Sequence, residues 1–255
     1  MRRGAELSRD MDYEIARPKT RVAAVPGWLA GVLSPLRYAL IIARKDVATE
    51  LRTKEIFTAT FIFALLSIVI FNFAFDLKGL DAKAVAPGML WVAFIFAGVL
   101  GLNRSIIMEK DRGCLDGLLL CPVSRESIFL GKMVGNIIFM GAMEVVTYPI
   151  FAIFSNLPIW APTLVPIIAL GTIGFAAVGT LFSAMAVNTR TREVMLPVLL
   201  FPVAVPVVIA AVKATGVVMS GGNWELAFPW VGLLAAYDII FVVVSILVFE
   251  FIVEE

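Results

Sequence analysis

IFTATFIFALLSIVIFNFAF, Ile56 to Phe75, runs for twenty residues without a charge. At helical spacing its apolar side chains cover every face, so no side of it suits water. The hydrocarbon layer of a bilayer is about 30 Å thick and is crossed by roughly 20 helical residues. The run therefore predicts a spanning helix. Five further stretches read the same way: Ala84–Leu102, Met133–Phe154, Thr163–Val187, Val194–Val212 and Phe228–Phe249. The third holds Glu144 and the sixth holds Asp238. The fold expected is an all-α membrane protein with six transmembrane helices. Composition agrees: of 255 residues, 60% are hydrophobic and 16% charged, against about 45–50% apolar and 25% charged in soluble domains.

Orientation follows from where Lys and Arg fall, because they concentrate on the cytoplasmic side. Residues 1–55, 103–132 and 188–193 carry eighteen of the 21, and only Lys78, Lys83 and Lys213 lie on the other side. Both termini are expected to be cytoplasmic, in a multi-pass protein of the inner membrane. The start, MRRGAELSRDMDYEIARPK, has no apolar core behind its basic residues and does not read as a cleavable signal. Residues 1–33 read as a polar cytoplasmic tail. Residues 34–55 read as an interfacial amphipathic helix, capped by Ser34 with Pro35 at its first position. Leu36, Leu40, Ala43, Val47 and Leu51 form its apolar stripe. A soluble helix packed on a partner is the other reading. Residues 56–255 form the transmembrane domain, and the loops on the outer side are short.

The largest internal loop between spans contains EKDRGCLDGLLLCPVSRESIFLGK, Glu109 to Lys132. The second span continues through IIMEKDR, with Gly113 suited to the left-handed position after a helix. A short apolar-faced piece, Leu115 to Leu120, follows and ends at Pro122. Ser124 can cap the next helix, with Glu126 in its first turn. Such a crossbar either seals the floor of the bundle or fits a groove in a cytoplasmic partner, with leucines as anchors.

The chain's chemistry is restricted. It has no histidine, which removes the usual general base, axial haem ligand and commonest metal ligand. Cys114 and Cys121 match no zinc or haem-attachment spacing. They read as small apolar residues in a reducing compartment, with a disulfide as the alternative. Gly131-Lys132 is the one fragment resembling a phosphate-binding loop. Glu126 stands where the first glycine is needed and Met133 where Ser or Thr is needed. If ATP drives the protein, the ATPase is another polypeptide. No catalytic constellation is visible, and a transporter subunit is expected rather than an enzyme. No cofactor is expected to be bound directly, and nothing points to nucleic acid.

Glu144 and Asp238 are the intramembrane polar candidates. A bare charge at mid-span costs at least about 2.5–3.5 kcal/mol. Each is either part of a proton relay or polar path, or a neutral acid that locks helix packing, with Tyr148 and Tyr237 as candidate partners. Thr172, Ala176, Thr180 and Ala184 form a small-residue stripe that suits internal packing or a dimer seam. Pro197, Pro202 and Pro206 predict kinks in the fifth span. Trp160, Trp224 and Trp230 fall where an outer aromatic belt is expected.

The loop resembles the coupling-helix region of ABC-2-type exporter membrane subunits. ARKDVATELRTKEIF (43–57), LWVAFIFAGVLGLNRS (90–105), the stretch from Gly171 to Thr215 and the terminal FEFIVEE are similar to the CcmB family. That family is the permease subunit of the cytochrome c maturation ABC transporter. The match covers about residues 36–255. The resemblance implies a six-helix subunit in membrane lipid, working as a dimer with a second copy of itself and with ABC ATPase subunits. It also implies a haem-handling membrane protein and a haem chaperone as partners. ATP then acts through the ATPase, and haem is a candidate cargo. Within coupling segment 104–132 the centre would be Gly113 to Pro122. Leu115, Leu118 and Leu119 would supply contact, and Glu109, Asp111, Arg112 and Asp116 would supply registration. Two alternatives stand beside it: an ABC-2 exporter of another cargo, lipid or drug, and a scaffold that couples ATP hydrolysis to remodelling of a haem chaperone without transport.

Overall fold

The computed structural model describes residues 27–76, 82–111, 117–118, 121, 123–156, 162–186 and 192–254. The chain divides into two units, Met1–Leu33 and Ser34–Glu255. Of the first, only the backbone of 27–33 is described, and it is helical. The helices are α1 (Gly27–Thr53), whose residues from Ser34 on belong to the second unit, and, wholly within that unit, α2 (Glu55–Asp76), α3 (Ala82–Asp111), α4 (Arg125–Phe154), α5 (Val165–Ala186), α6 (Arg192–Met219) and α7 (Trp224–Glu254). One turn of 3₁₀ helix, Pro162–Leu164, leads into α5. No strand occurs among the described residues.

Helices α2 to α7 are each long and apolar enough to cross a bilayer. All-helical architecture is what lipid requires, because a helix satisfies its backbone groups within itself. The core is unevenly shared. The apolar windows of α3 and α5 are 72% and 67% buried, those of α2 and α7 only 22% each. Helix α5 packs on α3, α4, α6 and α7, while α2 packs on α3 and α4. Trp91 of α3 shows how the centre is closed. Its Nε1 donates to Oγ1 of Thr215 on α6 at 3.0 Å, and its ring lies where a Cβ on Gly171 of α5 would sit.

Helix ends follow local chemistry. Ser124 caps α4 as expected, its Oγ accepting from the Ser127 amide, with Glu126 in the first turn. Helix α6 runs beyond the expected end at Val212, to Met219. It stops in a Schellman turn: the Gly222 amide donates to Val217 O, the Gly221 amide to Val218 O, and Gly221 has φ +74°. The three prolines leave α6 one continuous helix by its hydrogen-bond pattern. Between α1 and α2 a single residue, Lys54 at φ 53°, breaks the chain direction. Glu50 Oε1 then accepts the Phe57 amide at 3.0 Å, satisfying one of the four open donors at the start of α2.

Helix α1 departs from expectation twice. It begins at Gly27 and not at Ser34, so Pro35 lies inside it. The run WLAGVL ahead of Ser34 is apolar and free of proline, and the helix extends back through it. Its packed face also matches the stripe read from the sequence only in part, sharing Ala43 with it. Ala39, Ile42 and Ala43 are buried, while Leu36 and Leu40 are exposed. The packed face meets α4 at Gly131 and Gly135. A Cβ on Gly131 would stand 2.7 Å from Ile42 Cβ and 2.9 Å from Ala39 O. One helix thus seats on the other only because glycine leaves room.

Substituting Gly131→Val should lower the stability of the purified protein by about 1–3 kcal/mol, the usual cost of overpacking. Gly232→Ala meets nothing within 4 Å and should raise stability by roughly 0.5–1 kcal/mol. Thermal unfolding of both variants in one detergent checks the contrast.

Candidate functional site

Helices α4 and α5 run antiparallel and are joined at two heights. Near the start of α4, Asn136 Nδ2 donates to Thr180 Oγ1 at 2.8 Å. Eight residues along each helix, Thr172 Oγ1 donates to Glu144 Oε1 at 2.5 Å. Eight residues are a little over two helical turns, roughly 12 Å, so the two bonds fix a common register. Thr172, Ala176 and Thr180 are buried. The small-residue stripe serves internal packing, and its hydroxyls are the bonding partners of α4.

Glu144 is 7% exposed. Among the described residues its carboxyl has Thr172 as its one hydrogen-bond partner. On one side it touches a small void against Ala64, Phe94 and Met143. On the other it lines a groove of about 340 Å³ between α4 and α5, with Tyr148 along the same wall.

Asp238 is placed differently. It is 6% exposed on α7, and neither carboxylate oxygen has a hydrogen-bond partner among the described residues. It abuts α5 at Gly174, where a Cβ would collide with Oδ1. Tyr237, expected as an acid's partner, instead donates from its hydroxyl to the Val203 carbonyl at 2.9 Å and stacks on Phe241.

Of the predicted coupling residues, Glu109 and Asp111 lie in the last turn of α3, which continues past the apolar window to Asp111 as expected. Their side chains lie outside the described residues, as do Arg112, Gly113, Leu115, Asp116, Leu119 and Pro122. Leu118 is described and half-buried. It packs against a cluster of Ile42 from α1, Phe129 and Met133 from α4, Ala177 and Leu181 from α5, and Phe249 from α7. The Cys121 amide donates to Leu118 O at 3.3 Å, and its exposed thiol lies 3.4 Å from Gly117 O.

Beside this cluster is a feature the sequence reading missed. Lys132, buried on α4, bonds Asp46 of α1 at 3.0 Å, and Asp46 also pairs with Lys45 at 3.0 Å. Asp46, Glu50 and Asn136 border a cavity of about 110 Å³ walled by Phe57, Gly101 and Phe139. A lysine directly before a predicted span, Lys132 ahead of Met133, was the available signal. Among the described residues, no three His, Cys, Asp or Glu side chains are grouped as metal ligands.

Six apolar helices, α5 among the most buried and α4 and α7 each carrying a buried acid, define a multi-pass all-α membrane protein. The family model described as CcmB protein matches residues 37–254, and the chain belongs to that family. Similar proteins include three named heme exporter protein B. That of Paracoccus denitrificans is 28% identical over 69% of this chain and 80% of its own length. That of Rhodobacter capsulatus is 27% identical over 65% and 76%. That of Pseudomonas aeruginosa is 25% identical over 78% and 89%.

Double-mutant cycles should resolve the α4–α5 bonds. Asn136→Ala with Thr180→Ala, and Glu144→Ala with Thr172→Ala, should each couple by about 0.6 kcal/mol, with roughly 1.7 as the upper end for side-chain bonds in lipid. The two cycles should add, because the pairs stand more than about 10 Å apart. Unfolding equilibria in mixed micelles provide the readout.

Proposed function

We propose that this chain is the membrane subunit of an ABC-type complex that delivers or exports haem for c-type cytochrome assembly. The observation that carries the reading is the family match from residue 37 to 254, which takes in all six apolar helices. It is supported by the relatives' name, heme exporter protein B. The chain has no phosphate-binding loop of its own, so hydrolysis falls to a separate ATPase. The subunit sits in the inner membrane with both termini in the cytoplasm, as its Lys and Arg distribution favours. It works as a dimer alongside a haem-handling membrane protein and a haem chaperone.

In this reading the segment between α3 and α4 receives force from the ATPase. Leu115, Leu118 and Leu119 anchor the contact, and Glu109, Asp111, Arg112 and Asp116 set its register around Gly113 and Pro122. Leu118 lends it physical sense. A loop residue packed against a cluster that four helices build delivers a push to that cluster. ATP-driven movement of the bundle then releases the haem-loaded chaperone on the outer face.

The test is co-expression with the ATPase, followed by purification through a tag on this chain. Replacing Leu115 and Leu119 with Asp should cut ATPase recovery roughly tenfold or more, as loss of interface anchors does. Deletion of the gene should abolish c-type cytochromes. Unchanged recovery together with unchanged cytochromes would remove the assignment. Bound ATPase with normal cytochromes would point to a lipid or drug as cargo. Cytochrome loss without haem movement in vesicles holding the purified complex would leave the remodelling scaffold.

A further inference from the structure

The groove between α4 and α5 is more than a seam filled by lipid tails. Ile137, Gly141, Glu144 and Tyr148 line it from α4 at steps of four, three and four residues. Val165, Ile168 and Thr172 line it from α5 at steps of three and four. Those are the spacings with which a helix presents one face to a neighbour. The walls extend along about eleven residues of α4, or roughly 16 Å. At Gly141 an added Cβ would meet nothing within 4 Å, so the floor is open to a close approach. Val145, on the rim, is 74% exposed. The outer surface of the pair is therefore a trough, apolar on both banks, with one carboxyl in its bed.

That carboxyl limits what can lie there. Glu144 is more than nine-tenths buried and lines the trough. Thr172 occupies one of its oxygens, and its other oxygen has no partner among the described residues. Within the expected span Met133–Phe154 it stands ten or eleven residues from either end, about 15 Å below the headgroups at 1.5 Å per residue. A lipid tail has no donor to give it, and a headgroup donor cannot reach that depth. A second copy of the chain also fits badly. A two-fold contact sets the same surface against itself, and two troughs face to face leave a void. What fills a straight apolar trough and brings a donor to mid-depth is a spanning helix with a polar side chain on its inserted face.

We infer that the α4–α5 groove is the docking site for an apolar spanning helix of a different polypeptide, which sets a hydroxyl or amide donor against Glu144. The inference rests on the reading of this chain as one subunit of a larger membrane complex, and names where a membrane partner sits.

The test is photocrosslinking in the native membrane. The full chain carries Val145→p-benzoylphenylalanine, with Val198→p-benzoylphenylalanine on α6, also exposed, as the comparison. Adducts are identified by mass spectrometry after purification through a tag on this chain, with differently labelled copies co-expressed to reveal self-adducts. The Val145 probe should join one other polypeptide at residues three or four apart in a spanning segment, and the Val198 probe should not join that segment. Gly141→Leu, which fills the trough from open space, should abolish the adduct while the protein remains monodisperse. Glu144→Gln should preserve it, and Glu144→Leu should lower its yield roughly fivefold, the scale of one interhelical hydrogen bond in lipid. Adducts with lipid alone, with a second copy alone, or with a polypeptide whose capture ignores Gly141→Leu would each overturn the inference. ATPase recovery from the same preparations keeps the two readings apart. ATPase present without a Val145 protein adduct removes only the docking site. A groove-dependent adduct without ATPase removes only the ABC assignment.

Discussion

The antiparallel contact between α4 and α5 is the constraint from which the rest of the bundle follows. In lipid the hydrophobic effect does little to draw one apolar helix onto another, so association depends on close approach and on polar pairs. Helix α5 supplies both. Thr172 and Thr180 bond Glu144 and Asn136 at matching heights, which leaves no freedom to slide. Its glycines then receive the other helices. The Trp91 ring lies over Gly171, Asp238 and Tyr237 over Gly174, and Leu102 over Gly179. Two neighbours of α5, α3 and α7, are thus seated by the absence of side chains, and α4 by their presence.

The elements legible in the sequence are those set by a local rule. Ile56 to Phe75 spans because all its faces are apolar, and Ser124 caps because its oxygen lies within reach of the Ser127 amide. The Gly221-Gly222 pair also carries a local rule, but a lysine and a threonine inside α6 masked the helix that leads up to it. Asp46 shows what a linear reading misses. It lies on the packed face of α1, where its polarity made that face look solvent-exposed, and its partner Lys132 is 86 positions away. Leu36 and Leu40 of the expected stripe stay exposed beside that face. Much of the coupling segment lies beyond what the structure describes, so the sequence pattern carries that part of the reading.

The two buried acids were alike in the sequence, and packing separates them. Asp238 is enclosed between α7 and α5 without a hydrogen bond among the described residues. An unsatisfied buried group costs about 1–3 kcal/mol, so Asp238 weakens the resting contact it occupies. Glu144 has a partner that holds it in place and an opening toward the membrane. One acid is closed in against Gly174 of α5, and the other borders the open groove between α4 and α5.

A mechanical consequence joins these features. Ala177 and Leu181 of α5 lie in the cluster that receives Leu118, together with Phe249 of α7, whose ring centroid is 5.3 Å from that of Phe129. Close-packed interiors transmit displacement rather than absorb it. Leu118, in the segment before α4, packs into a cluster shared with α5 and α7, and farther along the same two helices Asp238 stands against Gly174. Helix α4 is tied on both sides, by its two bonds to α5 and by the Lys132–Asp46 pair to α1, whereas the Asp238 carboxylate, packed between α7 and α5, makes no hydrogen bond among the described residues.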